Sequence, residues 1–220
     1  MSLEPTYRDF WRRKKLLAGN VPRFPISRWW ESDELSDIER IYFDAIKESH
    51  SLLDFGAGDL RVFHKLKKAG YAGDYHTLDI GTEYSYTYGD LSEIKTRYEA
   101  ILCLDVIEHM PLREGLALID KLTELLLPGG TLILQTPNAQ CIRNPWAWDM
   151  THLHCYNITD LWAYLKTFAF DVKGYRIITK PPLRMPTDFL RHLFSAYFIT
   201  RVLRCDYADN IALIAKKPLS

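Results

Sequence analysis

An apolar run that ends directly in two closely spaced glycines, Leu52-Leu53-Asp54-Phe55-Gly56-Ala57-Gly58-Asp59, constrains this chain more than any other stretch. The five residues SLLDF (51–55) are short enough for a buried strand, and residues 58 to 69 carry a helical pattern. A strand that turns through glycines into a helix opens an α/β sheet, and in such sheets ligands sit beyond the carboxyl ends of the strands. Gly56 and Gly58 permit the tight turn and let a ligand approach the main chain.

The rest of the chain continues the alternation. YHTLDI, AILCLDV and TLILQT read as further buried strands, with a helical pattern over 113–127 that ends at Leu127-Pro128-Gly129-Gly130. Before the first strand, Leu35, Ile38, Ile41, Tyr42, Ala45 and Ile46 share one helical face. After the fourth come a helix near 158–168 and two strand-like runs, FDVKGYRIIT and NIALIAKK. Strands and helices in alternation predict a parallel sheet flanked by helices. Only ten residues separate Asp79 from Asp90, too few for a helix plus a strand, so the crossover after the second strand is expected to be shortened.

Residues 1–31 read as an irregular arm over the active site, and 32–220 as the domain proper. Residues 181–209 form an insert with a helical pattern at Phe189, Leu190, Leu193, Phe194, Tyr197 and Phe198. A lid or acceptor wall suits it, membrane contact being a minor option because its polar face carries few charges.

The residues around the glycines discriminate between ligands. A dinucleotide fingerprint needs a third glycine at position 61, where this chain has Arg61, and the Asp54 carboxylate would repel a pyrophosphate. Asp54 suits an ammonium group instead, as at the amino-acid end of S-adenosylmethionine. Asp79, with Ile80 beside it, ends the second run and suits a pair of ribose hydroxyls; a plain turn cap is the alternative. Asp90 and Leu91 follow a glycine in a place suited to an adenine ring and its amino group, although Gly-Asp is also a common turn.

The order LLDFGAG, LDI, GDL, AILCLDVIEHM, LLLPGGTLILQTPN, DMTHLHCY, over residues 45 to 180, resembles the class I S-adenosylmethionine-dependent methyltransferases. It is most similar to the broad group holding ubiquinone-biosynthesis O-methyltransferases and many glycan and natural-product enzymes. The resemblance implies a Rossmann-like, mostly parallel seven-stranded sheet with helices on both faces and an antiparallel last strand. It also implies S-adenosylmethionine as cofactor, held by Asp54, Gly56, Gly58, Asp79 and Asp90, with the backbone at Leu104 and Asp105 along the methionine side. The departure is Leu60, where many members have a third glycine.

Asp105-Val106-Ile107-Glu108-His109 ends the third long run, at the same sheet edge as the glycine loop. It looks like the D/E-x-x-E-H element of the family, which in some members holds a divalent metal with a further histidine, here His152. In many others the element shapes the pocket floor, and no metal is assigned on this reading. His109 and His152 are then the candidate general bases toward a hydroxyl acceptor, because imidazole titrates near neutrality. His154 reads as structural.

Charge narrows the acceptor. Twenty-eight basic residues balance twenty-eight acidic ones, which argues against a nucleic-acid partner. The expected acceptor is a small molecule, sugar or lipid-linked precursor methylated on oxygen. A small-RNA or tRNA ribose methyltransferase and a non-catalytic S-adenosylmethionine-binding module are the alternatives. Phe10, Trp11, Trp29, Trp30, residues 144–148 and the insert are candidate acceptor walls. Arg12 to Lys15 read as a solvated face. No apolar run is long enough to span a bilayer and no secretory signal is evident, so a cytoplasmic monomer or homodimer with reduced cysteines is expected.

Overall fold

A computed structural model describes residues 9–144, 149–179, 186–203 and 205–219. Seven strands form one sheet: β1 (Ile26–Trp29), β2 (Ser51–Phe55), β3 (Asp74–Leu78), β4 (Tyr98–Leu104), β5 (Leu126–Pro137), β6 (Asp171–Thr179) and β7 (Asn210–Lys216). Their spatial order is β1-β6-β7-β5-β4-β2-β3. Strands β3, β2, β4 and β5 are parallel, while β7 runs antiparallel to both β5 and β6. The expected Rossmann-like sheet with an antiparallel last strand is what the chain forms.

The central strands are buried on both faces, which is why they read as unbroken apolar runs. Side chains alternate across the sheet: Leu53, Phe55, Ile101 and Cys103 pack on one core with α4 (Leu112–Leu125) and α5 (Ile158–Lys166). Leu52, Ala100 and Leu102 pack on the other with α2 (Asp37–Ile46) and α3 (Arg61–Lys68). The chain starts α2 with Glu39 accepting from the Ser36 N–H at 2.7 Å, and α5 with the Asn157 side chain accepting from the Asp160 N–H. Both caps satisfy donors that a helix start leaves open.

Two details differ from the sequence reading, and a third agrees with it. Residues 1–31 are not an irregular arm throughout: Phe10–Ala18 form α1, and β1 adds a seventh strand beside β6. The strand is short and mixed in polarity, so period alone did not expose it. Helix α4 stops at Leu125, and Leu126 already pairs with Tyr98, so Pro128-Gly129-Gly130 make an irregularity within β5. The shortened crossover is present: between β3 and β4 the chain makes one 3-10 turn, Leu91–Glu93, and rejoins β3 through a Leu78–Tyr88 bridge.

Candidate functional site

Order reverses between β2 and β4, whose connections leave toward opposite sides, and the carboxyl ends there open a cavity of about 360 Å³. Of the expected cofactor residues, Asp54, Gly56, Gly58, Leu104 and Asp105 line it, with Ala57 between the glycines. Gly56 has φ +77°, and a Cβ there would meet Val106 Cγ2. Only glycine lets the loop pass this close to the end of β4. Gly58 has φ +50° and open space where a Cβ would stand. The N–H groups of Gly56 and Ala57 donate to Leu78 O, tying the loop to β3. Leu60 adopts φ +61°, the left-handed geometry that a glycine holds more cheaply.

Asp79 accepts from the Gly58 N–H and from the Gly81 N–H, both at 2.8 Å. Its carboxylate is thereby fixed at the loop, and the Tyr86 hydroxyl closes the same corner by donating to Gly58 O at 2.7 Å. Ile80 is almost fully exposed beside it. Asp90 is exposed and accepts from the Ser92 N–H, while Leu91 packs partly against the core; like Asp79 and Ile80, neither lines the cavity.

The electrostatics of the cavity favour a cationic ligand. Asp54, Asp59 and Asp105 line it against the Arg61 guanidinium, while Glu39, also in the lining, is paired with Lys65 at 2.9 Å. Asp54 is buried, accepts from the Tyr75 hydroxyl at 2.7 Å, and titrates near 6, pushed up by burial and by the charge of Asp79. Asp105 sits at φ +54°, with one carboxylate oxygen accepting from Gln135 Nε2 at 2.7 Å and the other buried without a hydrogen-bond partner. Burial raises its pKa, against the pull of Gln135 and Arg61. Gln135 is held in turn by the Tyr42 hydroxyl at 2.8 Å.

Beyond Asp105 the chain makes a 3-10 turn, Ile107–His109, that buries Glu108 and exposes His109. Glu108 accepts from Thr136 Oγ1 at 2.9 Å, and its other oxygen is buried without a hydrogen-bond partner. Burial, then the Asp105 charge, pushes its pKa up to about 8. His109 and His152 meet edge to face at 4.9 Å. Thr151 donates its hydroxyl proton to Asp149 at 2.7 Å, so at 2.8 Å it can only accept from His109 Nδ1. That bond assigns the Nδ1–H tautomer and leaves the His109 Nε2 lone pair available as a base. Glu108, His109 and His152 also each offer a ligand atom within 4.8 Å of the others, a set able to hold a divalent ion. Asp105 turns toward Gln135 and does not join that set.

Tyr42, Tyr75, Tyr86 and Gln135 hold residues of the candidate site by hydrogen bonds, and the sequence reading passed over them. Only Gln135, a lone polar residue inside the apolar run TLILQT, carried a signal. Of the expected aromatic walls, Trp29 lines the cavity with the Arg61 guanidinium 5.8 Å from its ring. Phe10 lies instead in a groove between α1 and α5, and Trp11 is exposed. Pro145 to Trp148 lie outside the described residues. Arg12 donates to Thr167 O, so the basic cluster is partly anchored on the domain.

A glycine loop at the switch point, without the third glycine of a dinucleotide site and facing an acid-lined cavity, defines the fold and site of a class I S-adenosylmethionine-dependent methyltransferase. Residues 29–173, more than half of the chain, match the methyltransferase-domain family, and the chain belongs to that family. It is 24% identical to the ubiquinone biosynthesis O-methyltransferase of Xanthomonas campestris pv. campestris, over 51% of this chain and 57% of that protein. The chain therefore spans little more than half the length of these curated relatives.

Solved structures share the fold at low identity. A SAM-dependent methyltransferase from Archaeoglobus fulgidus aligns with TM-score 0.58 and 18% identity over 81% of this chain and 90% of that one. The plantazolicin methyltransferase BpumL in complex with SAH gives 0.54 and 14% over 82% and 81%. A putative methyltransferase in complex with the Haloferax volcanii Trm112 activator gives 0.55 and 13% over 97% and 92%.

Proposed function

We propose that this enzyme transfers the methyl group of S-adenosylmethionine to an oxygen of a small-molecule, sugar or lipid-linked acceptor. The observation that carries the reading is the Asp149–Thr151–His109 relay at the same sheet edge as the cofactor cavity. In this reading Asp79 and Gly58 take the nucleoside side, Asp54 the ammonium, and the wall at Leu104 and Asp105 the methionine chain. Methyl transfer is an in-line displacement, so alignment of the acceptor supplies much of the acceleration. A base matters when the acceptor is a hydroxyl, and His109 Nε2 is the group poised to take that proton, with His152 against its ring.

The orphaned buried oxygen of Glu108 supports a second reading, in which Glu108, His109 and His152 hold a divalent cation. Such an ion, when bound, would lower the pKa of an acceptor hydroxyl. The test is S-adenosylhomocysteine release with a panel of phenols, catechols, sugars and amines, repeated with chelator. The proposal expects turnover on hydroxyl acceptors that is lost in His109→Ala. Turnover on amines alone, or activity indifferent to His109, would overturn it, and loss on chelation would select the second reading.

A further inference from the structure

We infer that Arg61 anchors the carboxylate at the amino-acid end of the cofactor, an assignment that rests on the reading of the cavity given above. Arg61 is then the residue that makes the cavity select the carboxylated cofactor over analogues lacking that group. The sequence marks this position only as the one that excludes a dinucleotide. In the fold Arg61 opens α3, directly after Leu60 has turned the chain through a left-handed residue. Its N–H donates to Asp59 Oδ1 at 3.1 Å, which ties the helix start to the rim of the cavity.

Charge balance in the cavity singles it out. The cofactor brings a sulfonium, an ammonium and a carboxylate. Asp54, Asp59 and Asp105 suit the two cations, but the carboxylate, placed among these acids, needs a cation of its own. Among the described residues that line the cavity, Arg61 alone is cationic. The neighbouring lysines are already paired. Lys65 donates to both Glu39 oxygens, at 2.9 and 3.1 Å, with both residues buried, and Lys68 meets Glu34 at 2.6 Å.

The Arg61 guanidinium is held only loosely at that wall. Its Nε lies 3.9 Å from Asp59 Oδ1, longer than a hydrogen bond, and both side chains are exposed. The guanidinium carbon stands over Trp29, 5.8 Å from the centre of a ring that lines the same cavity. Its charge also reaches Asp105 after β4, whose ionised form it favours. A guanidinium over an indole face keeps its N–H edge open, and a carboxylate can take two of those donors at once.

A purely structural role, offsetting Asp59 and Asp105, would act alike on every ligand of the cavity. Carboxylate anchoring acts on one functional group, so a ligand lacking that group separates the two roles. Arg61→Met is the suitable variant, since it keeps an unbranched stem near Trp29 and removes the charge from an exposed side chain outside the core.

Calorimetry with two ligands tests it: S-adenosylhomocysteine, and its decarboxylated analogue, which keeps the nucleoside and the ammonium. The parent is expected to prefer S-adenosylhomocysteine by about tenfold, the worth of charge-assisted hydrogen bonds at a partly exposed site. In Arg61→Met that preference should vanish, through a loss of about tenfold for S-adenosylhomocysteine and none for the analogue. Arg61→Lys should fall between parent and Arg61→Met, and thermal unfolding of both variants should stay near the parent's. Equal loss for both ligands, or a preference that survives Arg61→Met, would overturn the assignment and leave the cofactor reading intact. So would equal affinity of the parent for the two ligands. A folded parent that binds neither would overturn both.

Discussion

The two halves of the sheet's carboxyl edge are built by different means. Over β2 and β3 the edge is tied by short connections to main-chain groups: Gly56 and Ala57 donate to Leu78 O, and the Asp79 carboxylate accepts from the Gly58 and Gly81 N–H groups. Over β5, β6 and β7 the edge is closed by side chains that reach across the fold. Asn138 donates to Ala208 O and Asp206, Asp209 accepts from the Thr179 N–H, and Arg143 pairs with Asp209. An edge pinned on main-chain groups leaves few side chains besides Asp54 and Asp79 to vary and suits one constant cofactor. A wall made of distant side chains can be rebuilt without disturbing the strands, and that is where acceptor choice is expected to reside.

Substitutions can break this contrast at either side. The largest effect on the fold is expected for Gly56→Ala, since positive φ and the approach to Val106 Cγ2 act together. We expect about 3 kcal/mol of destabilisation in urea unfolding, with cofactor binding lost. His109→Ala lies across the divide: turnover should fall on the order of 10²-fold or more, while S-adenosylhomocysteine affinity stays at the parent's value in calorimetry.

Acidity sharpens the comparison further. The ionised form of Asp54 would hold the ligand ammonium, so affinity should decline as pH drops through about 6 and the pH effect should vanish in Asp54→Asn. Stability moves the other way. The folded pKa of Asp54 lies above its ordinary value of 3.8, so its stabilising contribution to the empty protein is fully present below that value and lost as pH rises through about 6. Melting curves across pH 4 to 7, parent against Asp54→Asn, separate the two. The smallest effect belongs to Leu60→Gly, where relief of the left-handed backbone and the added freedom of the unfolded chain offset each other. The change should stay within about 1 kcal/mol, with cofactor binding retained.

What was legible in the sequence follows the same division. The glycine loop, the acid after β3 and the D-x-x-E-H turn are local patterns, each tied to a strand end, and the sheet carries them to one edge. Gln135, Tyr42 and Tyr75 act through contacts between residues 21 to 93 positions apart, which no period or spacing encodes. Strand β1 was missed for a related reason, since four mixed residues become a strand only by pairing with β6. The D-x-x-E-H turn and His152 leave open in the sequence whether Asp105 belongs with Glu108 and the two histidines, whereas the left-handed backbone at Asp105 turns it to Gln135 and leaves Glu108 with the histidines. The helix Pro186–Tyr197 shows the limit most plainly, because its apolar pattern does not say that Leu190, Phe194 and Tyr197 face solvent.

Isothermal titration of S-adenosylhomocysteine into the parent and into Asp79→Ala tests the central claim most directly. The account expects saturable one-to-one binding by the parent and a loss of about 100-fold in the variant, the worth of two hydrogen bonds to a charged carboxylate. A folded parent that does not bind, or an Asp79→Ala variant that binds as the parent does, would contradict it.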